Sequence, residues 1–258
     1  LGAGRSASSL IDYLLRHAKE ENWKVIVGDY VLETATDKVN GHPNAEAIQF
    51  DIMDEGRREE VINEAEIVIS MLPARFHIHV AELCVQLGIN LITASYVSDE
   101  MKALDEKAQE KGIILLNECG LDPGIDHMSA MKVIDQIREE GHQLTSFESF
   151  TGGLLAPNDE DNPWEYKFTW NPRNVVLAGQ GTVKFIQEGK YKFIPYHRLF
   201  KRTELVHIPG HGYFEGYANR DSLQYMNVYG LEGISTLFRG TFRRPGYCKA
   251  WDVFVQIG

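Results

Sequence analysis

Cysteine is scarce in this chain: Cys84, Cys119 and Cys248 are the only three in 258 residues. Three thiols so widely scattered cannot build a disulfide framework or a zinc site, and they read as reduced side chains of a cytoplasmic protein. Long apolar runs are also missing. No stretch approaches the length that crosses a bilayer, and no secretory signal is visible, so a membrane partner is not expected. Positive charge is in deficit, with 26 Lys and Arg against 37 Asp and Glu and a formal net charge of -11. A nucleic-acid partner would need a basic footprint, and there is none. An anionic small molecule stays open, because local arginines and not the total charge would recognise it.

A 43% apolar fraction is ample for sizeable cores, and the length allows one large domain or two ordinary ones. The ends are abrupt. Leu1-Gly2-Ala3-Gly4 reads as the tail of a strand entering a glycine turn, and residues 252–258 stop inside an apolar pattern. The chain therefore reads as truncated at both ends.

Gly2-x-Gly4-x-x-Ala7 leads into a helix pattern in which Ala7, Leu10, Ile11, Leu14, Leu15 and Ala18 share a face. A strand pattern then ends on an acid in Trp23-Lys24-Val25-Ile26-Val27-Gly28-Asp29. This is the dinucleotide fingerprint: two glycines let the backbone approach a pyrophosphate, and a small third residue lets the helix pack on the sheet. The helix N-terminus offers N–H groups and a positive dipole end to the phosphates. Asp29 stands where a carboxylate accepts the ribose 2′-OH of NAD and repels the 2′-phosphate of NADP, so NAD is the expected cofactor and NADP the alternative.

Strand and helix signals go on alternating. Strands are expected at 47–51, 67–73, 90–93 and 113–116, with helices at 57–65, 77–87 and from the Ser98 cap through residue 111. Regular alternation of this kind implies a parallel sheet covered on both faces, with ligands at the carboxyl ends of its strands. His77 and His79 lack a third ligand and read as incidental surface, so no metal is expected.

The stretch around which the chain is organised is Asn117-Glu118-Cys119-Gly120-Leu121-Asp122-Pro123-Gly124-Ile125-Asp126-His127-Met128. Gly120 and Pro123-Gly124 punctuate a strand-to-helix turn, and its two aspartates and a histidine lie at a ligand-binding edge. The plain alternative is that Asp122 only caps the following helix.

Beyond Gly141 strands follow one another without regular helices. They are expected at 146–150, in a hairpin of 183–186 and 191–194 turning through Glu188-Gly189, and at 211–217 and 235–243. Helix signals lie near 174–178, and a long polar loop opens at Gly152-Gly153. This half reads as a mixed α/β domain, giving domains 1–123 and 124–258. It also carries Arg220 and the cluster Arg239, Arg243 and Arg244, whose planar forks suit carboxylates.

Taken together, Leu121-Asp122-Pro123-Gly124-Ile125-Asp126-His127 resembles the signature of the glutamate-forming saccharopine dehydrogenases. Other stretches agree in order and spacing: Gly2-Ala3-Gly4, Ile69-Ser70-Met71-Leu72-Pro73, Ala94-Ser95-Tyr96, Gly152-Gly153-Leu154, Tyr166-Lys167-Phe168, Asn219-Arg220-Asp221-Ser222 and Arg239-Gly240-Thr241. The resemblance implies a Rossmann-like parallel-sheet domain, then a mixed α/β domain for substrate binding and dimerisation, assembled as a homodimer. It implies oxidation of the secondary amine of saccharopine with a nicotinamide cofactor, giving glutamate and 2-aminoadipate 6-semialdehyde.

Carried over by motif, Ser95, Tyr96, Asp122, Arg220, Thr241, Phe242 and Arg243 would line the substrate site. The cofactor would meet Gly2, Ala3, Gly4, Arg5, Ser6, Asp29, Tyr30, Asp51, Ile52, Leu72, Pro73, Ala94, Ser95, Leu121, Asp122, Pro123, Gly124 and Asn171. Asp122 and Tyr96, with His127 beside them, are the acid–base candidates. Two departures stand out. NADP-using members carry an arginine where this chain has Asp29-Tyr30, and some members carry a cysteine where it has Thr151, so no thiol role is assigned. The competing readings are an amine dehydrogenase of the lysine 6-dehydrogenase or carboxynorspermidine type, and a non-catalytic NAD-binding sensor.

Overall fold

The computed structural model describes residues 1–170, 172–177 and 180–258, and the side chains of Asn174 and Leu177 are not among the described features. The chain divides into two compact units, Leu1–Ile125 and Asp126–Gly258.

In the first unit a 3-10 turn, Arg5–Ala7, runs into α1 (Ser8–Ala18). Then come β1 (Val25–Asp29), α2 (Leu32–Val39), β2 (Ala45–Gln49), α3 (Glu55–Asn63), β3 (Ile67–Ser70), α4 (His77–Leu87) and β4 (Asn90–Thr93). The short helices α5 (Asp99–Lys102) and α6 (Asp105–Lys111) and the two-residue strand β5 (Leu115–Leu116) complete it.

All pairings in this unit are parallel: β1 with β2, and β3-β4-β5 as a second sheet. The backbone of Leu1 and Gly2 runs between the two sheets. Gly2 N–H donates to the Gly28 carbonyl at 2.7 Å, and Met71 N–H donates to the Leu1 carbonyl at 2.7 Å. One core gathers Ile11 and Leu15 of α1 with Val27, Ala35 and Val39. The other packs Phe50, Ile62, Val80, Cys84 and Leu91. Both form where apolar residues of the helices, at helical spacing in α1 and α2, pack on the buried residues of the strands.

Several expectations need correction here. The strands expected over 23–29, 67–73 and 113–116 are shorter: Val25–Asp29, Ile67–Ser70 and Leu115–Leu116. The helix α2 was not read from the sequence. The expected single helix from Ser98 to residue 111 is two: Ser98 accepts the Met101 N–H at 3.2 Å as expected of a cap, but Ala103 and Leu104 break the run. Strand β2 starts two residues earlier than its apolar pattern suggests and ends at Gln49.

The second unit opens on the body of α7 (Ile125–Glu139), followed by β6 (Ser146–Thr151), α8 (Pro172–Leu177), β7 (Val183–Gln187), β8 (Lys190–Ile194), α9 (Tyr196–Leu199) and β9 (Thr203–Ile208). Then come β10 (Gly212–Ala218), α10 (Tyr225–Val228), β11 (Thr236–Arg243) and α11 (Tyr247–Ile257). Its sheet is mixed and six-stranded, ordered β8-β7-β11-β10-β9, with β6 joined to β11 in parallel. The hairpin β7–β8 turns at Glu188-Gly189, where Glu188 has φ 51 and Gly189 φ 73, the left-handed region that a two-residue hairpin turn of this hand requires. Four elements were missed: the short helices α9 and α10, the strand β9, and the eleven-residue helix α11, whose Tyr247, Cys248, Trp251 and Val255 pack into the aromatic core with Phe185, Phe200 and Trp164.

Candidate active site

The site begins at the glycine turn. Gly2 has φ +90, and a Cβ there would lie 2.9 Å from the Met71 carbonyl carbon and oxygen, so only glycine lets the turn thread past β3. A Cβ on Gly4 would meet nothing within 4 Å, so that backbone faces open space. Arg5 and Ser6 are exposed at the start of the helical run. An open backbone at Gly4, the start of a helical run and a glycine held against β3 fit the pyrophosphate of a nicotinamide dinucleotide.

Asp29 does a structural task in the same place. One of its carboxylate oxygens accepts the Ala3 N–H at 2.7 Å and the other accepts the Val31 N–H at 3.0 Å. The carboxylate thus ties the glycine turn to the end of β1, and its remaining lone pairs can still accept a hydroxyl. Tyr30 is 68% exposed beside it. Asp51 accepts the Met53 N–H at 2.9 Å, while the Ile52 side chain is buried in the core and offers a ligand its backbone only. Leu72 packs against that core, and Pro73 precedes the 3-10 turn Ala74–Phe76.

The loop after β4 is stitched to the turn after β5. Cys119 N–H donates to the Thr93 carbonyl at 3.1 Å, Glu118 N–H to the Ser95 carbonyl at 3.0 Å, and Val97 N–H to the Glu118 carboxylate at 3.1 Å. These bonds bring Tyr96 to Asp122, and the phenol donates to the carboxylate at 2.5 Å. Gly120 and Gly124 close the turn: Gly120 N–H donates to the Pro123 carbonyl at 2.8 Å, and a Cβ on Gly124 would run into the Gly120 backbone. The Asp122-Pro123 peptide is cis. Ser95, Tyr96 and Asp122 are therefore brought together at the carboxyl edge of the parallel sheet, with Leu121 55% exposed next to them.

His77 corrects the sequence reading. It is not incidental surface but 4% exposed. Its Nδ1 meets Ser70 Oγ at 2.8 Å, and its Nε2 meets Ser95 Oγ at 2.8 Å and Thr93 Oγ1 at 3.1 Å. Burial pushes its pKa down to about 4, so the ring is neutral near pH 7. The available signal was three hydroxyl residues closing two adjacent strands, Ser70 on β3 and Thr93 and Ser95 at the end of β4.

The arginines of the second unit separate into distinct environments. Arg239 is 3% exposed and donates to the Asp126 carboxylate at 2.5 Å, with its guanidinium 4.4 Å over the Tyr225 ring. Arg244 pairs with Glu160. Neither is the exposed carboxylate fork the sequence suggested. His127 Nδ1 meets the Tyr229 hydroxyl at 2.5 Å within the same network as Asp126.

Arg243 differs. It lies over the Tyr166 and Tyr247 rings at 5.0 and 5.3 Å and donates one Nη to the Phe242 carbonyl at 2.9 Å. Its Nε is buried without a hydrogen-bond partner, and among the described residues no carboxylate lies within bridging distance of it. Glu215, opposite it in the β10–β11 ladder, spends its carboxylate on the N–H groups of Gly246 and Cys248. The neighbouring phenols stay protonated: burial pushes Tyr217 up to about 12 and raises Tyr166 and Tyr247.

Side chains alternate along β11, so Thr241 and Arg243 share one face. Phe242 points the other way, stacked on Phe150 at 4.5 Å and tilted on Phe214 at 5.5 Å. Arg220 is exposed in a left-handed conformation with φ 48, and its carbonyl accepts the Lys184 N–H at 2.9 Å. Asn171, expected at the cofactor, lies outside the described residues. Among the described residues no helix is long and apolar enough to cross a membrane.

Comparison with known proteins puts a family to this geometry. Residues 1–116 match the saccharopine dehydrogenase NADP binding domain, and residues 120–258 match the saccharopine dehydrogenase C-terminal domain. The whole chain is 38% identical over 259 residues to the saccharopine dehydrogenase (NADP(+), L-glutamate-forming) of Schizosaccharomyces pombe, covering 57% of it. It is 36% identical over 278 residues to the alpha-aminoadipic semialdehyde synthase of Arabidopsis thaliana, covering 26% of that protein. The solved apo saccharopine dehydrogenase (L-Glu forming) of Saccharomyces cerevisiae superposes with a TM-score of 0.85 at 34% identity, over 96% of this chain and 55% of that one. The chain thus spans little more than half the length of the yeast relatives. The matched first domain is described as NADP binding, which gives no support to the NAD preference drawn from Asp29. With both units matched from end to end, this chain belongs to the saccharopine dehydrogenase family.

Proposed function

We propose that this chain carries the dinucleotide-binding and substrate-binding parts of an oxidoreductase that oxidises the secondary amine of saccharopine. The reaction would yield L-glutamate and 2-aminoadipate 6-semialdehyde. The observation that carries the reading is the Tyr96–Asp122 hydrogen bond of 2.5 Å, held at the carboxyl edge of the unit that contains the glycine turn. A bound nicotinamide ring would accept the hydride lost from the carbon next to nitrogen.

This chain's own residues would do the rest. Gly2 to Ser6 would receive the pyrophosphate at the head of the α1 run. Asp122 would take a hydrogen bond from the substrate amine and orient the adjacent C–H bond, a positioning effect that can remove about 7–11 kcal/mol of barrier. The amine must lose its proton before it becomes an imine, and the Asp122–Tyr96 pair is the acid–base group proposed for that step and for delivering water to the imine. Arg243 supports a carboxylate-bearing substrate: its guanidinium is held by two tyrosine rings and the Phe242 carbonyl, its Nε is buried without a hydrogen-bond partner, and a substrate carboxylate would suit that open side of the fork. Arg220 and Thr241 join it as proposed substrate contacts. A polyamine substrate would meet repulsion from Arg243, which sets the carboxynorspermidine-type reading behind this one.

For the choice of dinucleotide, the Asp29 carboxylate favours NAD, because a 2′-phosphate would have to approach a negative charge. The names of the fungal relatives favour NADP. Our reading is NAD, and kcat/KM measured with both cofactors decides it. The reaction itself is tested by following reduced nicotinamide with saccharopine in the wild type, Asp122→Asn and Tyr96→Phe. Asp122→Asn should lower kcat by roughly 10²–10⁴-fold with dinucleotide affinity retained. Full activity in Asp122→Asn would refute the assignment, and dinucleotide binding without any wild-type turnover would favour a sensor.

A further inference from the structure

Among the buried groups that the proposed reaction leaves unused, the His77 cluster is the most fully built. Three hydroxyl side chains, from β3 and the end of β4, converge on the one imidazole at the start of α4. We propose that His77 is a positioning residue that fixes the direction of the Ser95 hydroxyl, and so decides whether Ser95 offers the bound ligand a proton or a lone pair. This rests on the reading of Ser95 as a cofactor and substrate contact.

Proton accounting carries the argument. A neutral imidazole has one donor and one acceptor nitrogen. If Nδ1–H donates to Ser70, then Nε2 accepts; Ser95 Oγ at 2.8 Å is the nearer donor to it than Thr93 Oγ1 at 3.1 Å, so the Ser95 proton points inward and Ser95 shows the ligand its lone pairs. If Nε2–H donates instead, Nδ1 accepts the Ser70 hydroxyl proton and Ser95 is free to donate outward. Ser70 is completely buried and Thr93 nearly so, so neither hydroxyl can turn to solvent for an alternative partner. Thr93 Oγ1 also accepts the Ser95 N–H at 3.3 Å, which holds the Ser95 backbone in place while His77 sets the hydroxyl. A free serine hydroxyl would sample several rotors, and a ligand would have to immobilise it on binding.

The two ring nitrogens can be mimicked separately. An asparagine amide reaches the Nδ1 position and keeps the Ser70 contact; a glutamine amide reaches the Nε2 position and keeps the contact to Ser95. The test compares kcat/KM for saccharopine, dinucleotide affinity and melting temperature in His77→Asn, His77→Gln, Ser95→Ala, Ser70→Ala and the His77→Asn/Ser95→Ala double variant of the full chain. His77→Asn should lose roughly tenfold in kcat/KM, the size of one hydrogen bond. His77→Gln should stay within about threefold of wild type, and the double variant should be no worse than Ser95→Ala alone.

Ser70→Ala keeps the test sharp if His77→Asn does not fold. It should lower the melting temperature while leaving kcat/KM within about threefold, because the Ser95 contact survives. Losses that multiply in the double variant, equal losses in the glutamine and asparagine variants, or a Ser70→Ala defect in turnover would each overturn the role. A wild type without saccharopine turnover would instead refute the reading on which it rests.

Discussion

Replacing Arg239 by leucine removes the guanidinium from Asp126, and both side chains are only 3% exposed. The wild-type pair is a close contact of 2.5 Å, reinforced by stacking of the guanidinium on Tyr225. Taking one partner from a buried pair leaves the other charge in a poorly solvated site, which costs about 3–5 kcal/mol. At a urea dependence of roughly 2–3 kcal/mol per molar, the unfolding midpoint should fall by about 1–2.5 M. A double variant, Asp126→Leu/Arg239→Leu, should recover most of that loss, because two apolar groups of similar volume leave no stranded charge. Circular dichroism through a urea series reads all three proteins. A midpoint unchanged in Arg239→Leu, accompanied by lost saccharopine affinity, would refute the reasoning and make Arg239 a ligand-binding fork.

Further expectations follow from the same geometry. His77 has a folded pKa near 4, below the ordinary 6.5 because of burial, so the unfolded chain binds its proton first. Its contribution to stability is present above pH 6.5 and is lost as pH falls from 6.5 towards 4. The loss is at most roughly 3.5 kcal/mol at ~1.4 kcal/mol per pKa unit, and His77→Gln should flatten that limb of the stability–pH curve. Arg243→Met should raise KM for saccharopine by roughly 10–150-fold with little change in kcat, the worth of a charged hydrogen bond, and unchanged KM would remove Arg243 from the substrate site. Gly2→Ala should abolish dinucleotide binding measured by calorimetry, since its Cβ would lie 2.9 Å from the Met71 carbonyl in a left-handed backbone.

Much of the first unit was legible because its elements are short and strongly periodic. The α1 stripe, the apolar runs of β3 and β4, and the glycine turn each declare themselves within a dozen residues. The α2 helix did not: Leu32, Ala35 and Val39 stand at helical spacing, but the element is only eight residues long and carries no side-chain cap to mark its start. In α11, Val253-Phe254-Val255 reads as β-prone sequence, and packing of Tyr247 and Trp251 against the second core makes it a helix. The break between α5 and α6 falls at Ala103-Leu104, two good helix formers, so no local signal marks it.

The site divides in the same way. Asp122 and Tyr96 were legible as motif residues, although their contact spans 26 positions. His77 was misread because its partners are Ser70, Thr93 and Ser95, and no periodicity connects a helix start to the ends of two strands. Arg239 looked like a carboxylate fork because its internal partner, Asp126, lies 113 residues earlier. Arginines of equal appearance in sequence are told apart only by which of them already holds a carboxylate.

The most direct measurement is the formation of reduced nicotinamide when the full chain is given saccharopine with NAD or NADP, with glutamate quantified in the same reaction. The account predicts stoichiometric glutamate and reduced cofactor, with turnover falling by orders of magnitude in Asp122→Asn. Tight dinucleotide binding with no glutamate from saccharopine under either cofactor would contradict it.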